Sequence, residues 1–477
     1  MPSNIPEKKD KCGVFGIWGA SDSAHRAYTA LYALQHRGQE SAGLAVTDGQ
    51  SLWAHTGMGL VPEVFDTDLI RRLDHGKAAI GHNRYSTTGS SRACNAQPLL
   101  EEFVGGQVAV AHNGNLINAG LLRSDYERRG HIFHTSTDTE VIVHLLATHY
   151  LNKTDPLMSA LQHLQGAYSL VFLFPDRIEA VRDPWGWRPL VLGRTSDGCY
   201  CVASETVALD VLGATYLREI EPGEIVSISD RGLASRRFSE DQTPAYCIFE
   251  HVYFANPSSL VFGDTVQIVR ERLGEKLAEE SPADADYVIP MPDSGRSAAL
   301  GFSRKSAIPF REGIVPNRYV GRTFIQPTQK QRDSAVQVKL NVVREVVEGK
   351  RLIVVDDSIV RGTTTRGKMN QLRRAGAREI HLRISCPPIR HPCFFGIDFP
   401  ERSQLVAHGR SLDQIRQYLG VDSLHYLSLE GMLRCVSRPS DHYCTACFSG
   451  QYRLDAGHPV NKLDLERHQL RIFSPTP

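Results

Sequence analysis

Arg351-Leu-Ile-Val-Val-Asp-Asp-Ser-Ile-Val-Arg-Gly-Thr-Thr-Thr365 joins an apolar run to two acids and a turn of glycine and hydroxyl residues. The run from Leu352 to Val355 is typical of a strand buried on both faces of a parallel sheet. Gly362 and the threonines after it predict a turn that opens a helix, where backbone N–H groups and the helix dipole favour a phosphate. The carboxylates of Asp356 and Asp357 suit ribose hydroxyls and, through Mg2+, a diphosphate. The segment therefore indicates a site for a phosphorylated ribose that carries a diphosphate.

The sequence after this segment predicts a complete βαβ unit. Met369 and Leu372 share one helix face, Gly376 can end that helix, and the apolar residues from Ile380 to Ile384 alternate as the next strand. An N-cap for the helix is the competing interpretation of the acids, but a cap needs one acid, not two followed by Arg361-Gly-Thr-Thr. The spacing resembles the loop that binds phosphoribosylpyrophosphate (PRPP) in type I phosphoribosyltransferases. That resemblance implies PRPP contacts at Asp356, Asp357, Ser358, Val360, Arg361, Gly362, Thr363 and Thr364.

Composition and charge limit the classes of function. The chain has 477 residues, which favours two large domains over one core. Its 54 basic and 53 acidic residues nearly cancel, so bulk charge gives no support to a nucleic-acid or membrane partner. The first eleven residues lack the apolar core of a secretory signal. We expect a cytoplasmic protein. Its ten cysteines favour metal-binding or catalytic roles over disulfide bonding.

Cys12 opens the first apolar strand, Cys12-Gly-Val-Phe-Gly-Ile-Trp-Gly19, directly after a polar leader. A buried structural thiol is the ordinary interpretation of such a cysteine. The functional one is that residues 1–11 are a propeptide, whose removal lets the new α-amine act as base for the Cys12 thiol. An α-amine titrates near pH ~8, which suits a base at neutral pH.

Four further segments supply what hydrolysis of a glutamine amide requires; they begin at Ala33, Gly81, Ala111 and Ser136. Arg84 can pair an α-carboxylate bidentately, and Asp138 can pair an α-ammonium. Asn113 and Gly114 offer an amide group and a backbone N–H for an oxyanion. Histidines 36, 82 and 112 are more simply explained as packed structural residues.

Residues 12–240 resemble a class II glutamine amidotransferase of the N-terminal nucleophile family, because these motifs stand in that family's order. The resemblance implies a four-layer α/β/β/α sandwich, with Cys12 as nucleophile and an oxyanion hole at Asn113 and Gly114. The segment Asp183-Pro-Trp-Gly-Trp-Arg-Pro-Leu190 continues the resemblance and is expected to form structural turns. The implied glutamine-binding residues, including supporting and gating positions, are Arg37, Arg84, Tyr85, Thr87, Gly89 and Asp138.

A second domain is expected over residues 245–470, after a polar linker between Arg237 and Pro244. The strand Tyr287-Val-Ile289 leads into a turn where Ser294 is a candidate Mg2+ or diphosphate contact beside Asp356 and Asp357. The cationic stretch 317–332 is either a solvated face or a lid over PRPP, and the two interpretations are about equally supported. The resemblance to type I phosphoribosyltransferases also implies PRPP contacts at Arg322, which lies within this stretch, and at Lys339, which follows it.

The order of glutaminase and then phosphoribosyltransferase resembles the family of glutamine PRPP amidotransferases. This implies that ammonia released at Cys12 passes internally to C1 of PRPP, giving 5-phosphoribosylamine, glutamate and pyrophosphate, the opening step of de novo purine synthesis. It also implies a homotetramer and feedback inhibition by purine nucleotides. A non-enzymatic PRPP-sensing regulator is the alternative, which the intact Cys12 motifs argue against. Glutamine-dependent sugar-phosphate amination shares the first half only.

Four cysteines indicate a metal group. Cys444-Thr-Ala-Cys447 alone is compatible with a redox pair or half a zinc site. Together with Cys247 and Cys393 it matches the ligands of the cluster-bearing branch of the family, which implies a [4Fe-4S] cluster with a structural role. Zinc at the same four residues is the second possibility, and Cys386 is a possible substitute for Cys393.

The chain departs from the family pattern in one segment. It has Phe254-Ala-Asn-Pro-Ser-Ser259 where the family usually has Phe-Ala-Arg-Pro-Asp-Ser, so that an arginine and an aspartate are absent at positions 256 and 258. Domain coupling or nucleotide regulation is expected to differ here. Val342 replaces a usual proline, which is a smaller departure.

Overall fold

The computed structural model describes residues 12–74, 76–86, 88–151, 153–240, 242–316, 340–397, 399, 401–455 and 465–466. Within these ranges, none of the helices combines the length and apolar composition that a membrane span requires. The predicted propeptide, the stretch 317–332, Thr87, Arg322 and Lys339 lie outside the described residues.

The first half of the chain builds two antiparallel sheets. The order of strands is β11-β9-β10-β1-β4-β2-β3 in one sheet and β13-β12-β8-β7-β6-β5 in the other. In chain order the elements are β1 Gly13–Trp18, α1 Ser23–Ala33, β2 Ser41–Thr47, β3 Leu52–Met58, α2 Val61–Val64, α3 Thr67–Leu73, β4 Ala78–Arg84, a 3-10 turn Ala93–Asn95, β5 Leu99–Phe103, β6 Gly106–Leu116, α4 Ala119–Arg128, α5 Thr139–Tyr150, α6 Pro156–Leu161, β7 Gly166–Phe174, β8 Arg177–Arg182, β9 Val191–Arg194, β10 Tyr200–Ala203, α7 Val207–Asp210, β11 Thr215–Glu219, β12 Glu224–Ser229 and β13 Gly232–Arg237.

Successive side chains of β1 and β6 point to opposite faces of their sheets. Each sheet therefore packs against the other sheet on one face and against helices on the other. Val14 of β1 and Ala109 of β6 belong to the apolar layer between the two sheets. Phe15 faces the other way and packs in a cluster with Leu31 of α1. Val110 likewise packs against the helices on the outer face of the second sheet. The result is helix, sheet, sheet, helix, so the predicted α/β/β/α sandwich is confirmed.

The second half is built around a four-stranded sheet in the order β17-β20-β21-β22, with parallel neighbours. Its core contains the buried faces of the surrounding helices and forms one apolar cluster. The elements are β14 Tyr246–Cys247, a π-helical turn Glu250–Phe254, β15 Leu260–Val261, β16 Asp264–Thr265, α8 Val266–Glu280, β17 Tyr287–Pro290, α9 Arg296–Ser306, β18 Ile314–Pro316, β19 Leu340–Val342, α10 Arg344–Val347, β20 Arg351–Asp356, α11 Thr363–Arg374, β21 Glu379–Ile384, a 3-10 turn Arg402–Gln404, α12 Leu412–Leu419, β22 Ser423–Tyr426, α13 Leu429–Leu433, a 3-10 turn Ser440–His442, β23 Tyr443–Cys444 and α14 Ala446–Ser449.

The βαβ unit predicted from Arg351 onward is confirmed. Strand β20 is buried from Leu352 to Asp356, and α11 begins at Thr363. The N-cap of α11 is Gly362, whose φ of 80° lies in the left-handed region that favours glycine. Asp356 and Asp357 precede this cap by several residues, so the competing interpretation of the acids as caps is wrong. Strand β21 follows with Ile380, Leu382 and Ile384 buried.

Candidate active sites and a four-cysteine cavity

Cys12 lies directly before β1, in the interior of the sandwich half of the molecule. Its side chain is 6% exposed, and its Sγ donates a hydrogen bond to the carbonyl oxygen of Tyr85 at 3.3 Å. Burial raises the pKa of the thiol to about 11, although the hydrogen bond to Tyr85 and the charge of Arg84 oppose the rise. Only on the order of one thiol in ten thousand is then ionised at pH 7. A nucleophile in this position needs a base beside it.

Asn113 and Gly114 lie near the end of β6, where β6 pairs with β7. The Nδ2 of Asn113 lies 3.5 Å from the Oγ of Ser204, which also accepts a hydrogen bond from the backbone N–H of Val14. This serine therefore holds Asn113 close to the start of β1. A Cβ atom at position 114 would lie 1.9 Å from the carbonyl oxygen of Ala167, so only glycine fits there.

Arg84 and Asp138, predicted to hold the α-groups of glutamine, are both buried. The Nη1 of Arg84 lies 3.6 Å from Oε2 of Glu40. Asp138 accepts a hydrogen bond from the N–H of Leu116 at 2.9 Å and lies 3.6 Å from the Nδ1 of His112. Burial favours a higher pKa for Asp138, but His112 and the Leu116 N–H outweigh it and hold the pKa below its usual value.

The loop after β4 meets the loop that carries Asp138. Gly89 has a φ of 75°, and a Cβ there would lie 2.6 Å from the carbonyl oxygen of Ser136. Glu466, from the C-terminal end of the chain, accepts hydrogen bonds from the N–H of Ser90 at 2.6 Å and the Oγ of Ser136 at 3.0 Å. Tyr85 is buried beside Cys12. No motif in the sequence pointed to a role for Glu466.

Arg37, predicted to support glutamine binding, is engaged entirely with the protein. Its Nε donates to the carbonyl oxygen of Cys12 at 3.0 Å. Its Nη atoms bind Oε1 of Glu205 at 2.5 Å and both carboxylate oxygens of Glu250 at 3.0 and 3.1 Å. This geometry favours a role in positioning Cys12 over direct contact with glutamine.

Sequence reasoning missed Glu205 and Glu250. Glu250 comes from the second half of the chain, and it is fully buried in the π-helical turn. A signal was available, because a charged residue inside the apolar run 245–255 is unexpected unless it has a partner.

The loop that contains Asp356, Asp357 and Ser358, called the acid loop below, lies at the carboxyl end of the parallel sheet. Asp356, Asp357 and Ser358 are almost completely buried, and the N–H of Asp357 donates to Oδ1 of Asp356 at 2.9 Å. The carbonyl oxygen of Val360 accepts from the N–H of Val406 at 2.8 Å, and Arg361 binds Gln404 at 2.9 Å. Thr363 and Thr364 form the first turn of α11.

Ser294 lies at the same edge of the sheet as the acid loop. The turn that contains it follows β17, and the N–H of Met291 donates to the carbonyl oxygen of Val355 at 2.8 Å. A Cβ at Gly295 would lie 2.4 Å from that same oxygen. The turn therefore packs tightly against the end of β20, beside Asp356.

Cys247, Cys393, Cys444 and Cys447 line one cavity, together with Trp187, Arg188, Phe249, Phe395 and other residues. The parallel pairing of β14 with β23 places Cys247 opposite Cys444. Burial raises the pKa of Cys393 to about 11 and that of Cys444 to about 12, and neighbouring cysteines contribute to the rise. Cys386 lies outside the lining, and its Sγ donates to the carbonyl oxygen of Pro387 at 3.3 Å.

The departure from the family pattern at positions 256 and 258 has a local structure. The Oδ1 of Asn256 accepts from the N–H and the Oγ of Ser258, both at 3.0 Å. The N–H of Asn256 donates to Oε2 of Glu205 at 2.8 Å. The two replacement residues therefore pair with each other, and position 256 is held to the sandwich through its backbone.

The fold and these sites define a class II glutamine amidotransferase joined to a type I phosphoribosyltransferase, and comparisons with known proteins agree. A family model described as a glutamine amidotransferase domain matches residues 82–211. Amidophosphoribosyltransferase of Synechococcus elongatus is 49% identical over 464 residues, covering 96% of this chain and 94% of its own.

Two solved structures match nearly the whole chain. A glutamine PRPP amidotransferase from B. subtilis, complexed with ADP and GMP, is 46% identical and covers 93% of this chain and 98% of its own, with a TM-score of 0.87. A structure described as the allosteric regulatory enzyme of purine biosynthesis is also 46% identical, covers 93% of this chain and 97% of its own, and has a TM-score of 0.88. The chain belongs to the amidophosphoribosyltransferase family. The predicted family is confirmed, and the alternative of a PRPP-sensing regulator is not supported.

Proposed function

We propose the following division of labour for amidophosphoribosyl transfer, the first step of purine biosynthesis. Residues 12–240 hydrolyse glutamine, residues 245–470 bind PRPP, and ammonia passes between them without entering bulk water. Ammonia released to water would be diluted and protonated, whereas a closed path delivers the neutral nucleophile. One observation carries this proposal: the Cys12 carbonyl is joined to Glu250, in the other half of the chain, through the buried guanidinium of Arg37.

In the glutaminase half, Arg84 binds the α-carboxylate and Asp138 the α-ammonium of glutamine. The α-amine freed by removal of residues 1–11 takes the proton of the Cys12 thiol, whose raised pKa makes a base necessary. The sulfur attacks the side-chain amide, and the oxyanion is held by Asn113 and the N–H of Gly114. The proton then passes to the departing nitrogen, ammonia leaves, and water hydrolyses the thioester to glutamate. Tyr85, Thr87 and Gly89 shape and gate this pocket, while Arg37 positions the nucleophile.

In the second half, the turn from Arg361 to Thr364 binds the 5-phosphate, because its N–H groups open α11. Asp356 and Asp357 hold the ribose hydroxyls and orient C1 toward ammonia. Nitrogen bonds to C1 as the C1–O bond to the diphosphate breaks, and the pair of electrons leaves with pyrophosphate. The remaining contacts that we assign to PRPP are Ser358, Val360, Arg322 and Lys339.

The donor sets fit two metal groups. Ser294, Asp356 and Asp357 offer the oxygen ligands that Mg2+ prefers, and a bound Mg2+ would neutralise charge on the departing diphosphate. Four cysteines around one cavity suit a [4Fe-4S] cluster with a structural role. Among the described residues, no three His, Cys, Asp or Glu side chains come together as they would around a single metal ion. Zinc bound by the same four cysteines is the alternative. Iron and sulfide analysis of anaerobically purified protein tests the assignment, and stoichiometric zinc would overturn it.

The decisive experiment is a glutaminase assay with and without PRPP. We expect PRPP to stimulate glutamate release and to yield one phosphoribosylamine per glutamate. A rate of glutamate release that does not change with PRPP, with no phosphoribosylamine formed, would contradict the two-site proposal. N-terminal sequencing of the active enzyme should begin at Cys12, and an intact Met1 on fully active protein would refute the processing step.

We also propose three further properties: inhibition by purine nucleotides, a homotetrameric assembly and a cytoplasmic location. The B. subtilis structure was complexed with ADP and GMP, so purine nucleotides are the candidate feedback inhibitors of this chain. A homotetramer is the expected assembly, testable by light scattering. We also propose a cytoplasmic location, because ten cysteines in a chain of 477 residues are too sparse for a secreted disulfide scaffold.

A further inference from the structure

Arg188 is a fully buried cation for which the proposed reaction has no use. It belongs to the segment 183–190, which the sequence predicts to form structural turns. The turn is present, because Oδ1 of Asp183 accepts hydrogen bonds from the N–H groups of Trp185 at 2.9 Å and Gly186 at 2.7 Å. The same turn delivers Trp187 and Arg188 into the boundary between the two halves of the chain. A buried guanidinium requires partners for its charge; the Nη atoms of Arg188 have them, whereas its Nε has none among the described residues.

One side of the Arg188 guanidinium faces the four-cysteine cavity. Arg188 lines that cavity, and its Nη2 donates to the carbonyl oxygen of Phe395, two residues after Cys393. The ring of Phe395 stacks on Trp187 with centroids 4.4 Å apart. Among the residues that line this cavity, Arg188 is the one with a cationic side chain. It therefore joins the lining of the cavity to the backbone of the loop that contains Cys393.

The other side of the Arg188 guanidinium is connected to Cys12 through Glu250 and Arg37. Its Nη1 lies 3.3 Å from Oε1 of Glu250, and Glu250 in turn binds the Nη atoms of Arg37 at 3.0 and 3.1 Å. The Nε of Arg37 donates to the carbonyl oxygen of Cys12 at 3.0 Å. This buried network contains two arginines, Arg37 and Arg188, and two glutamates, Glu205 and Glu250. The Nε2 of His36 also lies 2.9 Å from Oε1 of Glu205. Removal of one member leaves an uncompensated buried charge, which is strongly destabilising.

The cysteine loop also contacts the strand of the proposed oxyanion hole. The Nδ2 of Asn115 donates to the carbonyl oxygen of Phe394 at 2.8 Å. A Cβ at Gly396 would lie 3.1 Å from the carbonyl carbon of Gly114 and from Nη2 of Arg188. The loop 393–396 is therefore packed against both Arg188 and residues 114–115.

We propose that Arg188 is a positioning residue that couples the four-cysteine cavity to Cys12, so that the packing of the cysteine loop sets the glutaminase site. The inference rests on the proposed nucleophilic role of Cys12. It implies that disturbing Arg188 impairs chemistry on glutamine, which needs Cys12, more than phosphoribosylamine formation from free ammonia, which does not.

The test uses the enzyme processed to begin at Cys12 and its variant Arg188→Met. Methionine keeps much of the side-chain length without charge or hydrogen-bond donors. We expect a fall of at least about tenfold in the rate at which a diazoketone analogue of glutamine modifies Cys12, while ammonia-dependent activity stays within about twofold. Arg383→Met is the matched control, because Arg383 is a buried arginine that donates to Ser281 and Ser423, away from this network. It should leave the ratio of the two activities unchanged.

A double-mutant cycle sharpens the test. If Arg188 acts on Cys12 through Glu250, then Arg188→Met, Glu250→Gln and the double variant slow the modification of Cys12 to a similar extent. Independent, multiplying effects would overturn the coupling, and so would an unchanged modification rate in Arg188→Met. If the methionine variant does not fold, Arg188→Lys replaces it. One ammonium group cannot reproduce the forked donors of a guanidinium, so Cys12 should be modified at least about threefold more slowly than in the wild type. A wild-type rate of modification would overturn the inference. A wild-type enzyme whose Cys12 is not modified at all would instead refute the proposed function.

Discussion

The Cys12 site and the Asp356 loop are built in different ways. The first is assembled from segments far apart in the chain: Cys12 lies before β1, Asn113 in β6 and Asp138 before α5. The second is one continuous segment between β20 and α11, with the acids adjacent to each other and the phosphate turn a few residues later. An assembled site depends on the packing of the whole molecule, whereas a continuous loop depends mainly on its own strand and helix.

The charges around the two sites differ as well. The carbonyl of Cys12 is held by a network of arginines and glutamates from both halves of the chain, in which every ion has a partner. The acid loop concentrates two neighbouring carboxylates at one sheet edge, where oxygen ligands suit a divalent cation. In the proposed function, the first arrangement positions a nucleophile, and the second presents negative charge to a bound group.

The largest effect expected is the separation of the two activities by Cys12→Ala. Glutamine-dependent phosphoribosylamine formation should fall by about three orders of magnitude or more, because no other group supplies the sulfur. Ammonia-dependent formation should persist, since ammonia enters after the thiol has acted. Steady-state assays with each nitrogen donor give the comparison, and equal loss of both activities would show that the two sites are not separable.

Asp357→Asn should have the complementary effect on the second site. Both activities that form phosphoribosylamine should fall by roughly 100-fold, since charge that stabilises the transition state is lost at the acceptor. Modification of Cys12 by the glutamine analogue should change little. Asp413→Asn, which removes an exposed carboxylate from α12, is the charge-matched control. A variant of Asp357 with normal ammonia-dependent activity would break the assignment of the loop.

Asp138→Asn tests the pairing of the glutamine α-ammonium. The KM for glutamine should rise about 10- to 100-fold, because a hydrogen bond to a charged group is lost, and kcat should change less. His112 and the Leu116 N–H, against the effect of burial, keep the pKa of Asp138 below its usual value, so the wild-type carboxylate is ionised at neutral pH. Asp155→Asn is the control: it alters the N-cap of α6 and should affect stability but not KM. An unchanged KM in Asp138→Asn would remove this residue from the glutamine pocket.

The smallest effect expected is an acid-dependent loss of stability at the boundary between the halves. Burial lowers the pKa of His251 to about 4, and neither ring nitrogen has a hydrogen-bond partner among the described residues. The unfolded chain binds this proton below about pH 6.5 while the folded chain does not until about pH 4, so stability is complete above that window and declines as pH falls through it. The contribution is at most roughly 3 kcal/mol.

Denaturant unfolding between pH 4 and pH 7 measures this term. His251→Phe should flatten the pH dependence, because an apolar ring suits a site bordered by Phe262 and Tyr443. His82 provides an internal comparison within the sandwich, since burial lowers its pKa to about 3 and its contribution should persist in the variant. An unaltered slope in His251→Phe would place the acid sensitivity elsewhere.

Much of the fold was accessible before the structure. The elements β20, α11 and β21 follow the pattern of the segment that begins at Arg351. These features arise from short-range physics, in which strand and helix periodicities and a glycine with positive φ are visible in neighbouring residues. The four-layer sandwich came from resemblance, because alternation along a strand says that a face is buried but not what covers it.

Amino-acid sequence by itself determined the candidate chemistry of this protein: a thiol at the start of a strand, two acids before a phosphate turn, and four cysteines at positions that resemble the ligands of a cluster-bearing family. Tertiary structure alone decided how these groups are connected. Arg37 engages Cys12 and Glu250 rather than an open pocket, and Arg188 reaches both Glu250 and the cysteine loop. The reason is physical. A buried charge must find its partner wherever the fold provides one, and those partners are separated by as many as 213 positions in the chain.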